Sequence, residues 1–494
     1  MSEHYILAID QGTSGTKSVL FDQNGRIVTK ATSELRSYYP KPGFVEQDPD
    51  EIYKSVLKSV KKCLEKFSGD SANIAAIGIS NQRETFVLWD RDGRPLTNAI
   101  VWQCKRSVDL CTELKSEGME KDVMERTGLI IDPYFSGTKL IWLYRNDPKI
   151  SRAIDDGRAC FGTIDSWLLY KLTGGKSYFT DYTNASRTLL FNLDTLDWDH
   201  DLLVKFKLST INLPKVKPSS FNYGETDFDG LLRHKVRIGS MIGDSHAAAF
   251  GEGCFSAGMA KATLGTGSSI LMNTGDGRII SKTGMMRTIC WSTEDRVDYA
   301  LEGVIVTCGA TIKWLENQVS LFDNSAQTES IARKIENNGG VYFIPAFSGL
   351  GAPHWKMEAR AAIMGLTFGS RKEHIVRAAL ESIPFQIKDV IGAMEKDYGL
   401  PLTELKVDGG ITSNKFVIQF LADLLNIPVS NMGIEEVSAL GAAYLAGLHV
   451  GIYENIENLK KLNKNQINYQ PGKGRERVVE YYEEWLHYVH KVTA

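Results

Sequence analysis

Apolar side chains alternate with small and polar ones at the start of the chain, and glycine breaks the alternation at short intervals. Tyr5 to Ile9 reads as a strand that runs through Asp10-Gln11 into a turn at Gly12-Thr13-Ser14-Gly15. A second strand follows to Phe21, and the chain turns again at Asn24-Gly25. The same pattern recurs from Ala260: a strand, a turn at Gly265-Thr266-Gly267, a strand through Met272, and a turn at Asp276-Gly277. Period-two alternation predicts paired strands, and Asn-Gly or Asp-Gly favours a tight hairpin turn. Two copies of one hairpin point to an internal duplication, with a first domain over residues 1–250 and a second over 251–494.

The remaining pattern is mixed. Helical periodicity covers residues 49–67 and leads to strands at 74–80 and 85–90, the latter turning at Asp92-Gly93. A strand at 236–242 ends at Gly243-Asp244, where a helix starts over 245–251. A long helix is predicted at 374–396, a strand at 405–407 before Asp408-Gly409-Gly410, and helices at 414–425 and 437–447. Strands alternating with helices argue for α/β layers. The lysine-rich stretch 459–466 reads as solvated surface.

Composition narrows the class of function. With 494 residues, 43% hydrophobic and 24% charged, the chain is an ordinary globular protein long enough for more than one domain. A net charge of −3 without a basic stripe argues against nucleic acid as a partner. No run is apolar enough to span a membrane, so no stable membrane association is expected. The N-terminal residues enter a strand directly, without a signal-peptide pattern, and the expected location is the cytoplasm. Seven cysteines without a Cys-x-x-Cys pair fit reduced, buried thiols; Cys104 and Cys111 are spaced for one helix face.

The hairpins carry the first chemistry. Glycine lets backbone approach a phosphate, and threonine adds a hydroxyl donor. Two such turns facing each other can grip a polyphosphate from both sides. The first hairpin alone carries an acid, Asp10, a hard oxygen ligand where a polyphosphate-bound Mg²⁺ would need one. The run 12–17 looks superficially like a Walker loop, but its spacing is wrong and it continues into a strand. Asp408-Gly409-Gly410 leaves bare backbone beside which a base or ribose fits.

At this point the chain resembles the FGGY carbohydrate kinases. Both family signatures are present, Tyr134-Phe135-Ser136-Gly137-Thr138-Lys139-Leu140-Ile141-Trp142-Leu143 and the stretch from 361 to 381. Segments 39–43, 80–85, 99–104, 180–187 and 345–353 are similar to the glycerol-phosphorylating branch, and the likeness fades after about residue 450. The resemblance implies two actin/hexokinase-like (ribonuclease H-like) domains with the active site in the cleft between them. It also implies ATP as phosphoryl donor with Mg²⁺. Arg83, Glu84 and Tyr134 would hold substrate hydroxyls, and Trp102 would wall the carbon backbone. Asp244 would be the catalytic base, and Ser245 and Ser269 would also line the acceptor site. Thr13, Ser14, Lys17 and Thr266 would contact phosphates, Gly309, Lys313, Gly410 and Asn414 would line the nucleotide site, and Asp10 would hold Mg²⁺ through water. The donor fork of arginine beside the acceptor oxygens of glutamate suits a polyol, whose hydroxyls are both donors and acceptors.

Three departures from the glycerol-specific pattern stand out. Ser245-His246 replaces two glutamines after the base, Ser269 replaces a bulky phenylalanine, and Lys17 replaces an arginine. The first two predict a wider and more polar pocket. His246 reads first as a helix-packing residue. Segment 227–235 lacks the glycine-rich loop by which some family members bind a sugar bisphosphate, and His234 is not placed like the histidine phosphorylated in others; neither regulation is carried over. The expected function is ATP-dependent phosphorylation of a terminal hydroxyl of glycerol, giving glycerol 3-phosphate and ADP. The alternatives are a C4–C5 polyol or ketose kinase and, from another class, a nucleotide-gated binding protein of the actin or Hsp70 kind. A homo-oligomer is left open.

Overall fold

The computed structural model describes residues 4–431, 433, 436–462, 466–472 and 475–493. The chain forms two compact units. One comprises 1–253, 287–299 and 436–462, the other 254–286, 300–435 and 463–494.

The first unit is built on a six-stranded sheet. Its order is Ser220–Thr226, Val236–Gly243, Ile74–Asn81, Tyr5–Gly12, Gly15–Asp22, Ile27–Glu34. Tyr5–Gly12 and Val236–Gly243 both run parallel to Ile74–Asn81, while the outer strands are antiparallel. Helix Pro49–Glu65 covers one face. Asp48 caps it by accepting from the Asp50 and Glu51 amides at 2.7 and 3.1 Å, and proline fills the first turn, where no amide is needed. Its Ile52, Val56, Val60 and Cys63 fall at helical spacing and pack on Leu7, Leu20 and Ala31 of the sheet. Each such side chain contributes about 1.5–3 kcal/mol when fully buried.

Helix Val437–His449 lies late in the sequence yet packs within this unit. It meets its neighbours backbone to backbone. A Cβ on Gly441 would sit 1.8 Å from the Ala247 oxygen, and one on Gly78 would sit 2.4 Å from the Ala442 oxygen. Ser240 and Ser220 anchor it further, donating to the Ala442 and Leu445 carbonyls at 2.7 and 3.1 Å.

The second unit repeats the motif. Met259–Leu264 forms an antiparallel hairpin with Ser268–Gly275 and lies parallel to Glu404–Asp408, which is parallel to Val429–Asn431. Helices Lys372–Tyr398 and Lys415–Leu425 contribute to its core. A hairpin whose first strand adopts a parallel neighbour occurs in both units, which is the duplicated α/β architecture the resemblance implied. One difference stands out: a third strand, Ile27–Glu34, follows the first hairpin, whereas no strand directly follows Asp276-Gly277.

All seven cysteines are free and buried. Cys104 precedes helix Val108–Ser116 and Cys111 lies within it, so the two do not share a helix face. Leu459 is buried in helix Ile456–Lys460 rather than solvated; residues 463–465 of that stretch lie outside those described. Among the described residues no helix is long and apolar enough to cross a membrane.

Candidate active site

Parallel strands leave their carboxyl ends side by side, and α/β folds place ligands there. In the first unit Gln11 and Gly243 both lie opposite Asn81. Three segments therefore leave the sheet together: the Thr13-Ser14 turn, Gln82-Arg83-Glu84, and Asp244. Gln82 ties two of them: its amide donates to the Gln11 carbonyl at 2.7 Å, and its side chain accepts from Thr13 Oγ1 at 3.2 Å and donates to Gln47 at 2.9 Å.

Asp244 faces Arg83, with the guanidinium Nε 3.3 Å from Oδ1. The arginine is 5% exposed and the aspartate 41%, so the carboxylate reaches solvent while its partner is fixed. Gly243 makes this possible, because a Cβ there would stand 2.7 Å from Arg83 Cγ. The Gly243 amide donates to Thr183 Oγ1 at 2.9 Å, which locks the strand end. Asp244 is the first residue of helix Asp244–Gly251, and Gly243 is its N-cap. Asp244 Oδ1 accepts from the Ser245 amide at 2.7 Å. His246 is fully buried, with Nε2 3.4 Å from Thr288 Oγ1, and packs inside the unit as expected.

Arg83 and Glu84 are neighbours that pair with different residues. Glu84 adopts a left-handed backbone (φ 58°) and accepts from Arg187 Nε at 2.7 Å, both side chains almost wholly buried. Arg187 is missed by sequence reasoning as a site residue. It ends the segment 180–187 that carries part of the resemblance, the one signal that could have pointed to it.

Trp102 Nε1 donates to Thr13 Oγ1 at 2.9 Å, joining Trp102 to the Thr13-Ser14 turn. Tyr134 packs edge-on against Trp102, ring centroids 5.5 Å apart. Ser14 is exposed at the turn. Lys17 lies directly across the hairpin from Asp10. Its Nζ sits 2.7 Å from Glu436, which also accepts from Lys30 at 3.2 Å. Glu436 is a second residue that sequence reasoning missed, 419 positions away from the lysine it holds.

Asp10 is the electrostatic centre of this set. Burial raises its carboxyl from 3.8 to about 6, and the Asp244 charge adds to the rise; Lys17 and the Ser80 hydroxyl oppose it, and Glu436 adds a smaller rise. Two carboxylates held close suit a hard divalent cation. Among the described residues no group of three or more acidic, histidine or cysteine side chains could hold a metal, so such an ion would bring most of its own oxygen ligands with it. The proton is held more tightly in the folded chain than in the unfolded one. This group's contribution to stability is therefore whole below pH 3.8 and lost as pH rises through about 6. Asp10→Asn is expected to stabilise the ligand-free protein at pH 8 by about 1–3 kcal/mol, discounted because the strand end is partly open, and the gain should shrink below pH 6. Denaturant melts of parent and variant at both pH values check this; a variant no more stable than its parent at pH 8 would contradict it.

In the second unit the glycine turns meet. The Gly265 amide donates to the Gly267 carbonyl at 3.0 Å, and the Gly309 and Ala310 amides donate to the Gly265 and Thr266 carbonyls at 2.9 and 3.1 Å. Helix Gly309–Asn317 thus starts against this turn. Gly409, at φ 91°, crosses so close that a Cβ would lie 2.6 Å from the Leu264 oxygen. Nothing lies within 4 Å of where a Gly410 Cβ would stand, so bare backbone is open there. Asn414 caps helix Lys415–Leu425 and donates to Thr328 at 3.2 Å. Lys313 lies one turn into its helix, exposed and paired with Glu316 at 3.1 Å. Ser269 donates to the fully buried Glu302 at 2.9 Å.

Known proteins are similar to this chain across its length. The FGGY N-terminal domain model matches residues 5–251 and the C-terminal domain model 260–450. A glycerol kinase from Carboxydothermus hydrogenoformans is 47% identical, covering 98% of this chain and 97% of its own. Glycerol kinase 2 of Thermotoga maritima is 46% identical over 97% of each. A crystal structure of Plasmodium falciparum glycerol kinase with ADP is 38% identical, with a TM-score of 0.93 over 100% of this chain and 99% of that one. With both family domains matched over the segments that carry the two hairpins, and with relatives this similar from end to end, the chain belongs to the FGGY family of carbohydrate kinases.

Proposed function

We propose that this protein transfers the γ-phosphoryl group of ATP to a terminal hydroxyl of glycerol, giving glycerol 3-phosphate and ADP. The observation that carries the reading is Asp244: a solvent-reaching carboxylate at a parallel strand end, 3.3 Å from a buried arginine, in a chain 47% identical to a glycerol kinase. Asp244 accepts the proton of the attacking hydroxyl. That oxygen forms the new bond to the γ-phosphorus as the bond to the β–γ bridging oxygen breaks and ADP leaves. Arg83, Glu84, Trp102, Tyr134, Ser245 and Ser269 orient the acceptor. Thr13, Ser14, Lys17 and Thr266 take the phosphates; Gly309, Lys313, Gly410 and Asn414 take the nucleoside part. Asp10 would hold Mg²⁺ through water, and that ion supplies charge neutralisation on the phosphates. Glu436 keeps the Lys17 ammonium aimed along the hairpin until phosphate arrives.

A second reading has one observation in its favour. Ser269 presents a hydroxyl committed to Glu302 where the glycerol-specific pattern has an aromatic ring. A longer polyol or ketose of four or five carbons is therefore the alternative acceptor. A coupled ADP-release assay with glycerol, C4 and C5 polyols and ketoses separates the two. Glycerol is expected to give the highest kcat/KM. A longer acceptor exceeding it would overturn glycerol but not the kinase reading, and ADP release indifferent to every acceptor would overturn both in favour of a nucleotide-gated binding protein.

A further inference from the structure

Helix Ser136–Asn146 begins immediately after Tyr134-Phe135, and its Lys139 is buried completely. Side chains on a helix lean toward its N-terminus. The Lys139 stem follows that direction, and its Nζ donates to the Pro133 and Tyr134 carbonyls at 2.8 and 2.6 Å. From the other side, the Tyr134 amide donates to Asp132 Oδ1 at 2.8 Å. Both backbone polar groups of Tyr134 are thus held by ionisable side chains, the amide by Asp132 of its own loop and the carbonyl by Lys139 of the helix that follows. The ring meets Trp102 and Phe135 edge-on at 5.5 and 5.4 Å. The same helix end reaches the other acceptor segment, Ser136 Oγ donating to the Glu84 carbonyl at 2.8 Å.

Helix stability does not explain a lysine here. An ammonium near a helix N-terminus opposes the helix dipole, and an uncharged side chain of equal length would fill the space without desolvation. What the ammonium provides is a double donor for the loop.

We propose that Lys139 is a positioning residue: with Asp132 it clamps the backbone of Tyr134 and so sets the aromatic wall against which the acceptor polyol binds. This rests on the assignment of Tyr134 to the acceptor site. The clamp also responds to pH. Burial lowers the Lys139 ammonium from 10.5 to about 8, opposed by Glu84, Cys104, Asp132 and Cys111, the charged and titratable groups around it. Asp132 itself is raised by burial, against the Tyr134 amide and the Lys115, Lys139 and Lys105 charges. As pH rises through about 8 the ammonium loses its charge, and its two bonds weaken to those of a neutral amine.

The test is steady-state kinetics on Lys139→Met and Tyr134→Ala beside the parent, from about pH 6.5 to about pH 9.5, with acceptor and nucleotide varied separately. Methionine keeps the stem volume and removes the donors. Lys139→Met is expected to lower kcat/KM for the acceptor by roughly 10–100-fold, since a displacement of about 1 Å carries such a loss, while the nucleotide KM stays within about twofold. The parent's acceptor kcat/KM should fall above about pH 8, and the variant's profile should lack that limb. Equal losses toward both substrates, no loss toward the acceptor, or a limb retained in Lys139→Met would each overturn the proposal. If the variant fails to fold, a parent profile with no limb near 8 overturns it, and one with the limb supports it. Tyr134→Ala separates the underlying reading: if it leaves the acceptor KM unchanged, Tyr134 is not in the acceptor site and the inference falls with it. A raised acceptor KM in Tyr134→Ala beside an unaffected Lys139→Met sinks the clamp alone.

Discussion

Asp244→Asn is expected to reduce turnover by about 10²–10⁴-fold, the usual worth of a general base. Asparagine is isosteric and can still accept from the Ser245 amide, so the strand end and helix start should keep their geometry. What disappears is the oxygen that can take a proton, together with the charge facing Arg83. Nucleotide affinity should stay within a few-fold, because the residues proposed to take the nucleotide are untouched. Isothermal titration with ADP and an ADP-release assay measure the two separately. Turnover within tenfold of the parent would remove Asp244 from the role of base.

The junction that carries Asp244 was legible in the sequence because an apolar strand stops and a helix begins there, marked by Gly243. The hairpins were legible for a similar reason: glycine and alternation are local signals. Local signals also set helix ends to within a few residues, as at Asn414, read as the first helical residue and found as the cap of Lys415–Leu425. What sequence reasoning missed is pairing at long range. Nothing near Glu84 announces that its partner is Arg187, 103 positions away, rather than the arginine beside it. Nothing near Lys17 announces Glu436. Adjacent opposite charges invite the reading of a local pair, whereas Arg83 faces Asp244 and Glu84 accepts from Arg187.

Arg187→Leu is expected to destabilise the protein by about 3–5 kcal/mol, since the Glu84 carboxylate would keep its burial and lose its closest cation. Both members of the pair are almost completely buried, 0% and 2% exposed, so water offers little relief. The guanidinium also lies 5.1 Å from the Phe135 ring, and leucine cannot supply that cation–π attraction. Glu84→Gln combined with Arg187→Leu should recover part of the loss, because the buried charge goes as well. Urea midpoints for the two single variants and the double variant give the coupling. A loss under about 1 kcal/mol for Arg187→Leu, with no recovery in the double variant, would show that the pair is not what holds Glu84 in place.

The late helix that seats Gly441 against Ala247 has a consequence for synthesis. A ribosome delivers the chain from its N-terminus, and domains commonly fold in the order in which they emerge. The first unit cannot complete in that order. The strand face bearing Gly78 and Ser240 lacks its covering helix until residue 449 has left the exit tunnel, by which point the hairpin and long helix of the second unit are already out. From the completion of strand Val236–Gly243 until then, this face waits for a segment still unmade. A nascent chain that stalls between residues 253 and 436 would expose it, and such a fragment is the form of this protein with most to gain from a chaperone.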